Sequence, residues 1–224
     1  MKKNWFYPLN GFLFAGMLST LLITSSCEKQ ETSLSVTQEY NANASVSSEI
    51  DNLFDAKSNL RREFGKALVL SMKESGKLRE VIKKEALKKI NYDNDVLYAL
   101  IKDEIVENGL TVESLIQKNT SDKKLLKELE IDCPTITIFV PELPENSFSA
   151  AKWDITNEIP KVAIRLSTSN DMPIIDTDGK EYLLPEEYTP GFPVVVIKEN
   201  EGIISEKEKV KGFEKLKTRT FQNK

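Results

Sequence analysis

The sequence contains no histidine among its 224 residues. Ser-His-Asp and Cys-His catalysis are therefore excluded in their usual forms, because both use an imidazole as the general base. The histidine-bearing zinc sites, including HExxH, are excluded as well, and so is the usual charge switch near neutral pH. The chemistry that remains is that of carboxylate pairs, of Lys or Tyr side chains, and of oxygen-ligated calcium.

Cysteine and glycine are also scarce, with two and nine residues respectively. If Cys27 is covalently modified, Cys133 is left alone and no intrachain disulfide can form, so the fold must rest on its hydrophobic core. A lone Cys133 beside Pro134 is expected to be a packed residue, since a nucleophilic cysteine needs a base to generate its thiolate. No P-loop or GxGxxG motif is present.

The chain has no basic excess, with 31 Lys and Arg against 35 Asp and Glu. Loss of residues 1–26 would remove two lysines and no acid, which leaves 29 basic residues and a net charge of −6. This balance argues against nucleic acid as a partner, because phosphate contacts need a basic face. The paired lysines are interpreted as solvated helix faces.

The N-terminus has the order of a secretory signal. Lys2 and Lys3 precede an uncharged run from Trp5 to Ser26. The strongly apolar part covers about 14 residues, short of the roughly 20 that a membrane-spanning helix needs. A cleaved signal over residues 1–26 is therefore favoured over a retained span.

The exit from this run, "TSSC", resembles the lipobox of bacterial lipoproteins, although Thr24 stands where that family usually has leucine. The resemblance implies that Cys27 is acylated and becomes the new N-terminus, with the membrane as its partner. The following "CEKQE" resembles the export signals of Bacteroidota-type surface lipoproteins. Together they imply a lipid anchor in the bacterial outer membrane, possible exposure at the cell surface, and an uncharacterised family. An ordinary secreted protein is the alternative.

Composition then divides the chain. Residues 27–48 are rich in Ser, Thr, Asn, Gln and Glu, which is typical of a disordered tether behind the lipid anchor. A helical part is predicted over residues 49–131, a β part over 132–204, and a charged tail over 205–224. Apolar positions at helical spacing predict helices through Leu60–Met72, Leu78–Ile90, Leu97–Ile105, Val112–Gln117 and Leu125–Leu129.

Alternating apolar residues predict strands over Thr135–Val140 and Lys161–Leu166. Two further strands flank "DTDGK", whose Asp178-Gly179 pair favours a type I′ hairpin turn. The apolar run Phe192–Ile197 predicts a strand that is covered on both faces. Helices followed by strands indicate an α+β fold, with the helical part packed on a mainly antiparallel sheet.

The strand segments "CPTITIFVPELPENSFSAAKWD", "IPKVAIRL", "DTDGK" and "PVVVIKENE" resemble the middle of uncharacterised Bacteroidota-type lipoproteins. This resemblance brings no established activity and no catalytic residues.

Two hypotheses on function remain. The first is a non-catalytic surface or periplasmic lipoprotein that binds a partner through the sheet edge or through Phe148 and Trp153 on the long loop 141–160. Long loops are often functional, and exposed aromatic side chains anchor partners. The alternative is that Trp153 fills the core. The second hypothesis is a carboxylate-based hydrolase acting on glycan or peptide. Its candidate acids are Glu142, Glu145, Asp154, Glu158, Glu186 and Glu187. No cofactor is predicted, and no metal site, since Pro185 replaces the glutamate that an EF-hand loop would need after Asp176 and Asp178.

Overall fold

The structure, a computed structural model, describes residues 50–200 and Gly202. The predicted signal, the anchor at Cys27, the tether and the charged tail lie outside the described residues. Within the described part of the chain, no helix combines the length and apolarity that crossing a membrane would require.

The longest helix, α1, covers Ala56–Glu74 and follows the predicted apolar stripe. It begins at Asp55, whose Oδ1 accepts a hydrogen bond of 2.7 Å from the backbone N–H of Ser58, because the first N–H groups of a helix have no partner within it. It ends at Ser75. The Ser75 hydroxyl then accepts the N–H of Leu78 at 2.9 Å and caps the next helix.

The other helices are α2 (Gly76–Ala86), the single turn α3 (Tyr98–Ile101), α4 (Val112–Lys118) and α5 (Leu125–Asp132). The strands are β1 (Asp95–Leu97), β2 (Ile136–Phe139), β3 (Lys161–Ile164), β4 (Met172–Ile175), β5 (Glu181–Leu184) and β6 (Val194–Glu199).

The six strands form one mixed sheet in the order β1-β2-β6-β3-β4-β5. All neighbouring pairs are antiparallel except β3 and β6, which run parallel with Val162 opposite Val195. The α+β prediction, with helices packed on a mainly antiparallel sheet, is confirmed.

Two predicted helices differ from the structure. The stripe predicted as a helix over Leu97–Ile105 instead begins with the last residue of strand β1 and contains the single turn α3, because Val96 pairs with Ile138 at the sheet edge. Strand pairing between distant segments overrides a weak local helical pattern. Helix α2 ends at Ala86 rather than near Ile90, and the left-handed backbone of Lys89 (φ 51°) turns the chain toward β1.

The helices cover one face of the sheet, and α1 approaches β3 closely at Gly65. A Cβ atom at Gly65 would lie 2.8 Å from Ile164 Cδ1 and 3.1 Å from Ile175 Cδ1. Only glycine gives the helix this closeness without a shift of its neighbours. The resulting core joins residues of the helices to Val162, Ile164, Val195 and Ile197 of the central strands.

The β4–β5 hairpin does not use the predicted type I′ turn. Such a turn needs positive φ at both central residues, and of the turn residues only Gly179 has one (φ 78°). The N–H of Gly179 donates to Asp176 O at 3.0 Å and that of Asp176 to Lys180 O at 2.9 Å. This is a three-residue loop with glycine in the left-handed position. The Asp176 carboxylate fixes it by accepting the N–H groups of Asp178 and Lys180.

Candidate functional site

The structure places Trp153 and Phe148 in the core, each 1% exposed. Their ring centroids are 5.9 Å apart, and the indole N–H of Trp153 donates to Glu158 O at 3.1 Å. The loop that carries them is fastened to α2, where Arg79 donates to Ile155 O and Lys83 to Trp153 O, both at 2.7 Å. Both rings therefore serve packing, and the predicted role as exposed binding residues loses its physical basis.

Several acids of the hydrolase hypothesis make structural hydrogen bonds within their own loop or to the segment before β1. Asp154 accepts hydrogen bonds from the Asn157 amide and from the N–H groups of Thr156 and Asn157, which lower the pKa of its carboxyl. The Glu158 carboxylate accepts the N–H of Asp154 at 2.9 Å. Hydrogen bonds from Asn94 and Lys89 lower the pKa of Glu142. An acid that donates a proton at neutral pH needs the opposite shift.

The remaining candidate acids are equally unlike a catalytic pair. Glu145 and Glu187 are exposed, and Glu186 accepts a hydrogen bond of 2.8 Å from Asn170. Cys133 is buried, as predicted, and burial raises the pKa of its thiol to about 11. The described residues contain no group of three or more His, Cys, Asp or Glu side chains placed to hold a metal ion.

The sheet face opposite the helices, called here the open face, carries a second apolar cluster. Alternation along the strands turns Ala163, Ile174 and Val194 to this side, where they form a small buried centre. Partly buried apolar side chains surround it: Leu143, Met172, Tyr182, Leu184, Phe192 and Val196. All of these residues come from strands and loops, so no α-helix of the described residues covers this face as α1 and its neighbours cover the other.

A groove of 690 Å³ lies on the open face, called here the open-face groove. Its floor is apolar and is formed by Phe139, Ala163, Val194 and Val196 on three adjacent strands. Its other lining residues are Arg61, Pro141, Leu143, Arg165, Leu166, Ser167, Met172, Pro190, Lys198 and Glu199. A concave, mostly apolar space with a few polar groups, between about 300 and 1,000 Å³, is the usual form of a small-molecule site.

Two cations lie side by side at one end of the floor. Arg165 is one position beyond the paired residues Ile164 and Ile197, which places it next to Lys198 on the neighbouring strand. Lys198 lies over the Phe139 ring, 4.7 Å from its centroid, and its Nζ is 3.1 Å from Asp95 Oδ1. Arg165 is exposed, and among the described residues its guanidinium donates to Asn170 alone, through a long hydrogen bond of 3.4 Å.

Arg61 supports this end of the groove from α1. Its guanidinium donates to Glu199 Oε1 at 2.9 Å and to the backbone oxygen of Arg165 at 3.2 Å. The Arg61 side chain is nearly buried, at 6% exposure, and its Nε has no hydrogen-bond partner among the described residues. Glu199 also pairs with Lys57 at 3.5 Å, so the one acid that lines the groove is fully engaged.

No protein-family model, curated protein or solved structure matches this chain. The groove must therefore be interpreted from its own chemistry.

One feature of the sequence indicates this groove, although the alternation of apolar and polar residues along each strand does not. Ala163 lies between Lys161 and Arg165, on the side of β3 that alternation assigned to solvent. The apolar run of β6 was interpreted as covered on both faces, yet Val196 is only half-buried. Apolar residues on a face that also carries charges are the feature that points to the groove.

Proposed function

We propose that the protein is a lipid-anchored cell-envelope protein that binds an apolar ligand in the open-face groove without catalysing its conversion. The observation that carries this proposal is the 690 Å³ groove with an apolar floor, on the side of the sheet that no α-helix of the described residues covers. Concave apolar surface left open to water is characteristic of binding sites, because water leaves it favourably when a ligand enters.

The anchor is the part of the proposal that rests on sequence. Lys2 and Lys3, the apolar run and the small residues before Cys27 support export and acylation at that cysteine. Several acyl chains hold a protein on a bilayer, since each buried methylene contributes about 0.8 kcal/mol. The charged residues after Cys27 support placement in the outer membrane with exposure at the cell surface.

The geometry of the described residues supports binding rather than hydrolysis. Two carboxylates must flank a scissile glycosidic bond, at roughly 5 to 9.5 Å from each other. Within the part of the chain that the structure describes, the open-face groove is lined by one acid, Glu199, which pairs with Arg61 and Lys57. Every described Asp or Glu with a resolved pKa shift is shifted downward, away from a general acid.

The experiment is a fluorescence titration with N-phenyl-1-naphthylamine, an uncharged probe that brightens in apolar sites. The protein is the mature chain carrying Cys27→Ala, because acyl chains would bind the probe themselves. Val196→Trp should fill the groove while suiting a β-strand, and should weaken probe binding at least tenfold. Leu100→Trp is the matched control, since Leu100 is 56% exposed and lies outside the groove.

A second variant protects the test against misfolding. Met172→Gln keeps the length of a half-buried groove side chain but makes it polar, and should weaken binding severalfold. Circular dichroism must show that both variants remain folded. Folded Val196→Trp and Met172→Gln proteins that bind the probe as tightly as the parent would refute the groove as the binding site.

A further inference from the structure

The open-face groove is cationic although the protein as a whole is acidic. Of the described residues that line it, three are basic, namely Arg61, Arg165 and Lys198, and one is acidic, Glu199, in a chain of net charge −4. We propose that the ligand is a small, free amphipathic anion, whose carboxylate, sulfonate or phosphate pairs with Arg165 while its apolar body covers the floor. This inference rests on the proposed function and specifies the ligand class of the same groove.

The charge balance of each cation singles out Arg165. Lys198 is neutralised by Asp95 at 3.1 Å, and Arg61 by Glu199 at 2.9 Å. Among the described residues, no carboxylate oxygen lies within 4.0 Å of the Arg165 guanidinium, whereas Arg61 and Lys198 each have one. Arg165 is thus the lining cation whose charge an anion would balance.

The backbone holds Arg165 in a fixed place at the end of the floor. Its N–H donates to Ile197 O at 2.9 Å, and its carbonyl oxygen accepts from Arg61 at 3.2 Å. Ala163, two positions earlier on the same strand face, is a floor residue, and Val196 lies opposite it on β6. A guanidinium carried on a fixed backbone beside an apolar floor suits a ligand with one charged end, because the ion pair and the apolar contact can form together without a movement of the main chain.

Charge also argues against two other occupants. The chain segment 203–224 carries seven Lys or Arg and three Asp or Glu, so the cationic end of the groove would repel it. A second copy of the protein would bring the same unbalanced guanidinium to the contact. Free anionic amphiphiles have neither disadvantage.

The test compares two probes that differ only in a sulfonate. These are 8-anilino-1-naphthalenesulfonate and the uncharged N-phenyl-1-naphthylamine, each titrated into the mature Cys27→Ala chain. The anionic probe should bind more tightly, and 0.5 M salt should remove most of the difference through screening. Arg165→Gln should weaken the anionic probe about fivefold, as expected for an ion pair partly open to water, and the neutral probe less than twofold.

The matched control is Lys180→Gln, which removes the same charge from an exposed residue outside the groove and should change neither probe. If Arg165→Gln weakens both probes equally or neither, the anion proposal is overturned, while loss of both probes in Val196→Trp still upholds the groove. If Val196→Trp binds both probes normally, the proposed function fails first.

The other occupants give distinct results. Tighter probe binding after Phe213→Ser and Leu216→Ser would assign the groove to the chain's own C-terminal segment and overturn the proposal. If sedimentation experiments show a dimer, and Val196→Trp dissociates it, the groove would be assigned to a second copy of the chain and the proposal would be overturned.

Discussion

Removal of the Trp153 side chain tests the placement of the long loop. Trp153→Ala deletes a ring that is 1% exposed and packs 5.9 Å from Phe148, and it leaves Glu158 O without its indole donor. Large aromatic truncations in a core cost about 3 to 5 kcal/mol of unfolding free energy. Since whole domains are stable by about 5 to 15 kcal/mol, the variant should unfold at a much lower urea concentration.

Two controls make the measurement specific. Trp153→Phe keeps a ring in the core and loses the hydrogen bond. Its loss of unfolding free energy should therefore be less than half of the loss for Trp153→Ala. Tyr92→Ala removes an aromatic side chain that is 96% exposed and should change stability by about 0.5 kcal/mol or less. Urea unfolding followed by circular dichroism measures all three. A loss below about 1 kcal/mol for Trp153→Ala would refute the core placement.

Two further predictions concern the fold, and a third concerns the lipid anchor. Gly65→Ala should destabilise the protein by about 1 to 2 kcal/mol in urea unfolding, because the new Cβ would overpack α1 against β3 by more than the gain in helix propensity; an increase in stability would contradict this. Burial opposes ionisation of Glu181, but hydrogen bonds and charge from Arg62 and Lys66 outweigh it and hold the pKa of Glu181 below 4.5. Glu181 therefore stabilises the fold above pH 4.5, and this effect is lost as pH falls through its lowered pKa. The Glu181→Gln variant should have a lower melting temperature than the parent at about pH 7, and its melting temperature should fall less between about pH 7 and acid pH. An equal fall in the variant and the parent would contradict the assignment. Cys27→Ala should abolish labelling by palmitate in a bacterial host, and persistent labelling would overturn the lipid anchor.

Regular periodicity was the part of the fold that sequence predicted well. The stripe through Phe64, Leu68 and Met72 identified α1, since a long amphipathic helix carries its pattern in its own residues. Strand β1 was not predicted, because three residues are too few to show an alternating pattern and the conformation of this segment depends on pairing with β2. The predicted type of the hairpin turn was wrong, because the turn depends on Asp176, a residue outside the Asp-Gly pair, which accepts the hydrogen bonds that fix the loop.

The candidate site was predicted less well than the fold, for a physical reason. An aromatic residue in a long loop can face a partner or the protein's own core, and only the contacts of Trp153 with α2 and Glu158 distinguish the two. The open-face groove depends on neighbouring strands that lie far apart in the sequence. Phe139, Ala163 and Val196 meet only because β6 pairs with both β2 and β3.

Methyl NMR of the mature Cys27→Ala chain during titration with N-phenyl-1-naphthylamine tests the central claim most directly. The account predicts the largest chemical-shift changes at Ala163, Met172 and Val196 on the open face. It predicts little change at Leu78 and Leu115, which lie buried in the core on the helical side of the sheet. Shifts concentrated on the helical side, or no saturable shifts at all, would contradict the open-face groove as a binding site.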